Sequence, residues 1–278
     1  MNPIYSIFLK HPEEINKLLF ELFRFNKIAN TQRMSANTPF EAVILAGGLG
    51  TRLAPYTTVL PKPLMPVGGR PILGIIVEQL RRSGATKITL AVNHMADIIA
   101  AVLGDGSRFG LEIAYSRETK VLGTIAPLKL IPSLPERFVV MNGDVLTDLD
   151  AGALYRAHTE SGCRFTIASC LREGKIDFGV LDLNETGNRL VAHREKPKYE
   201  YNVSMGMYAM NRSLLDEIPA DTPCGVDTLV LAMLARNEPV NIYRWAGYWL
   251  DIGRPEDLER ANAEVHLLGL PVSEQDNG

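Results

Sequence analysis

Residues 41–52 read EAVILAGGLGTR, an unbroken apolar run that ends in three glycines within four positions. A run of this length with no polar alternation fits a strand buried on both faces of a parallel sheet. Gly47, Gly48 and Gly50 allow the chain to turn tightly and bring backbone N–H groups close to an anion. Arg52 follows directly, and Lys62 stands ten residues further on within Pro61-Lys62-Pro63, where the prolines restrict the backbone around it. Two cations and a glycine cradle suit a triphosphate, whose charge must be balanced before another anion can approach. The spacing is neither the dinucleotide GxGxxG nor the P-loop GxxxxGK[ST].

Outward from this stretch, strands and helices alternate. Ile72, Ile75, Ile76 and Leu80 mark a helix face, 87–92 a strand, 96–103 a helix, 112–115 a short strand and 138–141 a buried one. This order predicts an α/β fold, a Rossmann-like, mostly parallel (mixed) sheet with helices on both faces. The second half carries more strand, at 164–170, 179–183, 190–193, 205–209 and 240–243, with helices at 212–218, 226–235 and 255–265. Three regions follow: 1–40 an N-terminal helical extension and linker, 41–265 the main domain, and 266–278 a polar tail. Within the extension, 11–28 has helical spacing, with Ile15, Leu18, Leu19, Leu22 and Phe23 on one stripe. That helix serves oligomerisation or docking, or folds back on its own domain, and the last reading is favoured.

The formal charge is −3, from 29 basic and 32 acidic residues, which gives no reason to expect nucleic acid or an anionic membrane as the main partner. No apolar run approaches the roughly 18 residues of a membrane helix. Cys163, Cys170 and Cys224 are scattered without CxxC spacing, so neither a disulfide framework nor a zinc site is indicated. A cytoplasmic protein is expected, and a homo-oligomer is compatible with the sequence.

Further along, the buried strand 138–141 runs into Asn142-Gly143-Asp144. Ligands of open α/β sheets gather at the carboxyl ends of strands. A hard Mg²⁺ bridging phosphate oxygens takes carboxylate ligands there. Asp148 and Asp150 stand before a helix and read as caps. His94, His158 and His193 show no ligand spacing and read as structural.

Gly47–Leu53, with Pro55, Thr57 and Pro61-Lys62-Pro63-Leu64, resembles the signature of the sugar-1-phosphate nucleotidylyltransferases. The likeness runs from about Glu41 to about Val265 and looks closest to the mannose-1-phosphate guanylyltransferase-like members. It implies a fold of the nucleotide-diphospho-sugar transferase type and a substrate pair of NTP and sugar 1-phosphate, with GTP and mannose 1-phosphate favoured. Carried onto this chain, the resemblance makes Arg52 and Lys62 catalytic. It puts Leu45, Ala46, Gly47, Gly48, Gly50, Thr51, Glu118, Gly123 and Thr124 on the nucleotide. Asn142, Gly143, Gly179, Glu195, Lys196, Ser204 and Tyr208 fall on the sugar phosphate, and Asp144 and Asp251 on Mg²⁺. Two departures stand out. Ser204 replaces the asparagine of many relatives, and Ile125-Ala126 follows Leu122-Gly123-Thr124 where relatives have Ala-Gly or Met-Gly. The second leaves the nucleotide open, alongside glucose or heptose 1-phosphate as acceptor. A non-catalytic nucleotide-sugar sensor is the second class of reading, although Arg52, Lys62, Asp144, Lys196 and Asp251 are all retained. A metal-dependent glycosyltransferase using Asp148-Leu149-Asp150 as a DxD motif is the third.

Overall fold

The first strand, β1 (Phe40–Leu45), lies inside a seven-stranded sheet and buries Ala42, Val43 and Ile44 completely. The structure is a computed structural model describing residues 38–269 apart from His94, Thr119, Val121, Ala220 and Asp221. The expected helix at 11–28 and residues 270–278 of the tail expected at 266–278 lie outside the described residues, while the first residues of that tail form a 3₁₀ turn, Val265–Leu268, that buries Leu268. After β1 come the short pair β2 (Pro66–Val67) and β3 (Arg70–Pro71), helix α1 (Ile72–Arg82), β4 (Ala85–Val92), α2 (Ala96–Leu103) and β5 (Glu112–Arg117). Next are β6 (Arg137–Asn142), β7 (Val145–Thr147), α3 (Ala151–Ser161), β8 (Phe165–Lys175), β9 (Val180–Leu183), β10 (Leu190–Arg194) and β11 (Lys198–Asn211). The chain continues through α4 (Val226–Ala235), β12 (Asn241–Trp245), β13 (Trp249–Asp251) and α5 (Pro255–Glu264).

The main sheet has the order β12-β8-β11-β6-β1-β4-β5. β6, β1, β4 and β5 are parallel to one another, β12 is parallel to β8, and β11 runs antiparallel between β6 and β8. The expected mixed, mostly parallel sheet is therefore what forms. Alternating side chains divide the core between its two faces. Ala42, Ile44, Val139 and Met141 pack on one side with Ile72, Ile75, Ile76 and Leu80 of α1, while Val43, Phe138 and Val140 pack on the other with Leu229 and Met233 of α4.

Local signals set several boundaries. Asp150 accepts a hydrogen bond from Gly152 N at 2.8 Å and starts α3, which ends at Gly162 in the left-handed region (φ +69°). Pro255 opens α5 as expected. Two strands are much longer than the sequence suggests. β8 and β11 continue past the sheet as a paired two-stranded arm, where Lys198 opposes Lys175 and Tyr201 opposes Arg172. The outer halves are solvated on both faces, so no apolar periodicity announces them. The segment 212–218, read as a helix, is a 3₁₀ turn at Arg212–Glu217. Cys163, Cys170 and Cys224 are unpaired thiols. Among the described residues, no helix is long and apolar enough to cross a membrane.

His158 has the structural role that its sequence context suggests. It is buried on α3, with Nδ1 2.9 Å from Thr166 Oγ1 and Nε2 2.8 Å from Asn211 Oδ1, joining α3 to β8 and β11. Burial lowers its pKa, partly opposed by the Asn211 hydrogen bond and aided by Arg137. The folded state thus binds this proton less readily than the unfolded chain. The His158 contribution is fully present above the ordinary histidine value of 6.5 and is lost as pH falls through the lowered folded value. Thermal melts should therefore show wild-type stability declining from pH 7.5 to 5. His158→Gln should flatten that decline while costing about 1–3 kcal/mol at pH 8, because it leaves one buried partner unmet.

Candidate active site

The glycine loop follows the end of β1 and is anchored at both sides. Ala46 N donates to Ala91 O (2.8 Å), and Leu45 O accepts from Gly143 N (2.9 Å). Leu45 and Ala46, expected on the nucleotide, use these backbone groups to join the loop to the ends of β4 and β6. A Cβ on Gly47 would lie 2.8 Å from Glu118 Oε1, so the glycine lets that carboxylate come over the loop. Gly50 is left-handed (φ +62°), its carbonyl accepts from Thr57 Oγ1 (2.9 Å), and a Cβ there would lie 2.9 Å from Lys62 Cβ. Thr51–Leu53 then forms one 3₁₀ turn that buries Leu53 and exposes Arg52. The Arg52 guanidinium reaches Gly253, 3.6 Å from where a Cβ would stand.

Lys62 and Asp144, 82 residues apart, meet with Nζ 2.5 Å from Oδ2. The lysine is only 8% exposed, an expensive place for an ammonium without a partner. Asp251 arrives by a separate route. β13 pairs antiparallel with β7, setting Asp251 opposite Val145, and Ile252 N donates to Asp144 O at 2.9 Å. Partial desolvation and the Asp144 charge hold the Asp251 carboxyl above the usual range, while Lys62 and Arg52 pull it down. Asp144 Oδ1 is buried and has no hydrogen-bond partner in the protein. Two converging carboxylates with one orphaned oxygen fit a Mg²⁺ that takes its remaining ligands from water and phosphate. Among the described residues, no group of three or more His, Cys, Asp or Glu is placed to cage a metal alone.

On the acceptor side, β11 breaks register between Ser204 and Tyr208. Gly206 occupies the left-handed region there (φ +71°), and a Cβ would come within 2.7 Å of Asn142 Nδ2. Ser204 Oγ lies 3.1 Å from Tyr208 Oη and accepts from Gly206 N (3.3 Å), so the hydroxyl at this departure from the family pattern is held by its own bulge. Burial raises the Tyr208 phenol, with the Asp144 charge adding to it and the Ser204 hydrogen bond opposing. Asn142, Gly143, Ser204 and Tyr208 thus line the same strand ends as Asp144. Gly179, Glu195 and Lys196 group separately, on the arm. A Cβ on Gly179 would lie 2.6 Å from His193 Nε2 and 3.1 Å from Glu195 Oε2, and Lys196 has a positive φ of 44°. Among the described residues, no hydrogen bond or ion pair ties this group to Asp144.

On the base side, Glu118 accepts long hydrogen bonds from Asn93 Nδ2 (3.3 Å) and Leu122 N (3.4 Å). Gly123 (φ +85°) lies against the Cys224 carbonyl, and Thr124 Oγ1 accepts from Val226 N at the start of α4 (3.1 Å). The Thr124 hydroxyl is therefore engaged in joining this segment to α4. Ile125 and Ala126 are buried in the second core, and both N–H groups donate to Cys224 O. The departure at these positions fills the core behind the loop.

Several residues at the cleft are absent from the sequence reading. Asn93 supports Glu118. Arg172 donates to Trp249 O (2.9 Å) and stacks over the Trp249 ring at 4.6 Å, while Trp249 Nε1 donates to Met205 O (2.8 Å). Arg172, Arg254 and Arg52 line a cavity of about 330 Å³ with Trp249, Asp251 and Gly253. Arg260 and Asp257 complete the charged lining, so four guanidinium groups face two carboxylates there and the cavity is positive on balance. Arg254 immediately follows the Asp251 motif, a proximity that could have flagged it. His193, read as structural, instead stands half-exposed beside Gly179 and Glu195, 3.8 Å from the Glu195 carboxylate. Asp148 Oδ1 accepts from Trp245 Nε1 (2.8 Å) and Asp150 caps α3, which removes the support for a DxD metal site. The two loop glycines differ in a way that stability measurements can read. Gly50→Ala should cost about 1–2 kcal/mol through its left-handed φ, with more from the Lys62 contact. Gly48→Ala, with nothing within 4 Å of a Cβ, should stay within about 0.5 kcal/mol of wild type in a denaturant titration.

Residues 41–267 match the sequence model of the nucleotidyl transferase family. A mannose-1-phosphate guanyltransferase of Debaryomyces hansenii is 33% identical over 242 residues, covering 84% of this chain and 66% of that protein. One of Yarrowia lipolytica is 33% identical over 225 residues, covering 78% and 62%. The chain thus spans a little under two thirds of the length of these curated relatives. The crystal structure of HddC from Yersinia pseudotuberculosis complexed with GMP-PN has a TM-score of 0.61 at 25% identity, covering 81% of this chain and 99% of that one. By the extent of the match and by the residues gathered at the ends of β1 and β6, this chain belongs to the nucleotidyl transferase family.

Proposed function

We propose that this chain transfers a nucleoside monophosphate from an NTP to a sugar 1-phosphate, releasing pyrophosphate and forming an NDP-sugar. The observation that carries the reading is the Lys62–Asp144 contact at the floor of the cleft, with Asp251 alongside and Arg52 above. Cationic groups and two carboxylates thus gather at the end of the parallel strands, where ligands of such sheets bind, which supports the reading. The Lys62 ammonium is satisfied by Asp144. An arriving triphosphate offers it a second anionic partner and lets it neutralise charge without leaving the cleft.

Asp144 and Asp251 would hold Mg²⁺, which supplies charge neutralisation between the phosphate groups. An oxygen of the sugar phosphate attacks the α-phosphorus, the bond from that phosphorus to the β-bridging oxygen breaks, and pyrophosphate departs with that electron pair. Arg52 and Lys62 stabilise the negative charge that builds on the leaving group. A phosphate monoester is already largely ionised at neutral pH, so no protein base is required. Lys196 offsets the charge of the attacking phosphate, and Glu195 holds the ring by its hydroxyls.

GTP and a mannose 1-phosphate-like acceptor are the favoured pair. Glu118 presents a carboxylate that accepts only, and guanine offers two adjacent donors, N1–H and the N2 amino group. The D. hansenii and Y. lipolytica relatives are mannose-1-phosphate guanyltransferases, and HddC was crystallised with GMP-PN. Other triphosphates, and glucose or heptose 1-phosphate, form the comparison set. The protein would work without nucleic acid or membrane, as a cytoplasmic enzyme.

The test is a matrix of four triphosphates against several sugar 1-phosphates with Mg²⁺, scored by pyrophosphate release and product mass. Turnover with one pair is expected. Binding without release by any pair would leave only a non-catalytic sensor and overturn the proposal. On the productive pair, Arg52→Ala should lower kcat about 10²–10³-fold. Lys196→Ala should chiefly raise the sugar-phosphate KM, and full turnover by the Arg52 variant would remove it from the mechanism.

A further inference from the structure

Three strands of the main sheet set one polar row side by side. Ser169 of β8 lies opposite Ser204 of β11 and opposite Arg244 of β12, so the three side chains share a face. The next row on that face is apolar, with Ile167 opposite both Tyr208 and Ile242. Over these rows lies a cavity of about 310 Å³, lined by Ile167, Ser169, Asn202, Ser204, Ile242 and Arg244. Its inner end is Ser204, beside Tyr208 in the cleft, and its outer end is β12, the edge strand of the sheet.

The polar groups of this cavity are not equally engaged. Ser204 is held by its own bulge. Ser169 is only 4% exposed, and its buried Oγ has no hydrogen-bond partner in the protein. Buried hydroxyls normally have one, so this group is aimed at something that enters the cavity. Arg244 is exposed and, among the described residues, makes no hydrogen bond or ion pair. No carboxylate lines the cavity, so its one charge is an unmet guanidinium.

We propose that this cavity receives an oxyanion, a carboxylate or a phosphate, carried on the exocyclic carbon of the acceptor sugar. Arg244 grips the oxyanion with its planar fork, and Ser169 Oγ donates to it. Continuity with Ser204 and Tyr208 argues that the anion arrives on the acceptor and not as a separate ligand. In the order β12-β8-β11-β6, Arg244 stands two strands from Ser204, about 10 Å, and Asp144 follows β6 on the other side of β11. A sugar whose 1-phosphate lies by Asp144 therefore extends its far edge along the polar row, with Ile167 and Ile242 against its ring carbons. The placement of the 1-phosphate rests on the proposed function, whereas the fit of an oxyanion to Arg244 and Ser169 rests on the cavity alone.

The test is calorimetric titration of the full chain with mannose 1-phosphate and with its 6-carboxylate and 6-phosphate analogues. The wild type should bind at least one analogue about 10- to 100-fold more tightly than the parent sugar, the worth of a hydrogen bond to a charged group. Which analogue gains tells carboxylate from phosphate. Arg244→Gln should bring that ratio near one, and Arg244→Lys, which keeps the charge without the fork, should restore part of it. Ser169→Ala should lower the ratio several-fold without lowering Tm, since its hydroxyl has no partner to lose. A wild-type ratio near one, as a cavity covered by another part of the chain would give, overturns the proposal. So does a ratio that survives Arg244→Gln, and a Ser169→Ala chain that melts lower removes Ser169 from it. Should Arg244→Gln misfold, hydrogen exchange on the wild type decides. Protection of 241–245 by the favoured analogue beyond that given by mannose 1-phosphate supports the contact, and equal protection overturns it. Titration reads binding without turnover, so the preference can stand where no substrate pair reacts, and turnover without the preference sinks this inference alone.

Discussion

The Lys62 ammonium lies against the Asp144 carboxylate at the closed end of the cleft, and much of the local architecture exists to bring those groups together. Neither side chain could be held in this position alone. A nearly buried ammonium without a counter-ion, or a half-buried carboxylate without a cation, would carry a desolvation cost that nothing offsets. The contact needs β1 and β6 adjacent and parallel, so that the glycine loop and Asp144 emerge at the same edge. It also needs Gly50 without a side chain, because Lys62 occupies the space that a Cβ would take. Such a pair adds little net stability, since desolvation of both charges offsets their attraction. On the proposed function, its value lies in keeping opposite charges prepared where further anions would arrive.

The strands around this point were legible because burial on both faces leaves a strong mark. The run at 41–46 could be little else than an internal parallel strand, and 138–141 before Asn142-Gly143-Asp144 carried the same mark. Charge and glycine spacing located the loop, Arg52 and Lys62. Pairing was harder to read. β7 and β13 are three residues each, too short for periodicity, yet their antiparallel register is what sets Asp251 beside Asp144. Only the family resemblance joined these aspartates in advance. The outer halves of β8 and β11 escaped for the opposite reason, since strands solvated on both faces have no apolar rhythm. Thr124 shows a different limit. Its place in a motif was visible, but its hydroxyl bonds to the backbone of α4, 102 residues away.

The base side changes the meaning of one sequence departure. Ile125-Ala126 stands where relatives carry a glycine, and from sequence alone that change falls on the nucleobase pocket. In the fold, both side chains turn into the second core, and their N–H groups are taken by the Cys224 carbonyl. The added bulk therefore braces the loop from behind. On the proposed function, base discrimination would fall to groups beside the glycine loop, chiefly Glu118 with Asn93 supporting it. The two hydrogen bonds that Glu118 accepts are both long, which leaves its carboxylate able to trade them for shorter bonds to a base edge.

The two halves of the proposed site differ in how they are supported. Gly50, Lys62, Asp144 and Asp251 are fixed by the main sheet and by backbone bonds between strand ends. Gly179, Glu195 and Lys196 hang on the solvated arm. Between them lies the bulge at 204–208, where Gly206 lets Asn142 approach and Ser204 holds the Tyr208 hydroxyl. Tyr208 is the hinge of this arrangement in an electrostatic sense as well. Its burial and the Asp144 charge both oppose ionisation, so its hydroxyl stays neutral in the field of that carboxylate. A neutral donor at that junction adds no repulsion toward an incoming anion, whereas a carboxylate would. On the proposed function, the two anionic ligands would meet cations at both ends of the site and an uncharged hydrogen-bonding link between them, with the acceptor cation carried by the solvated arm and the donor cations by the main sheet.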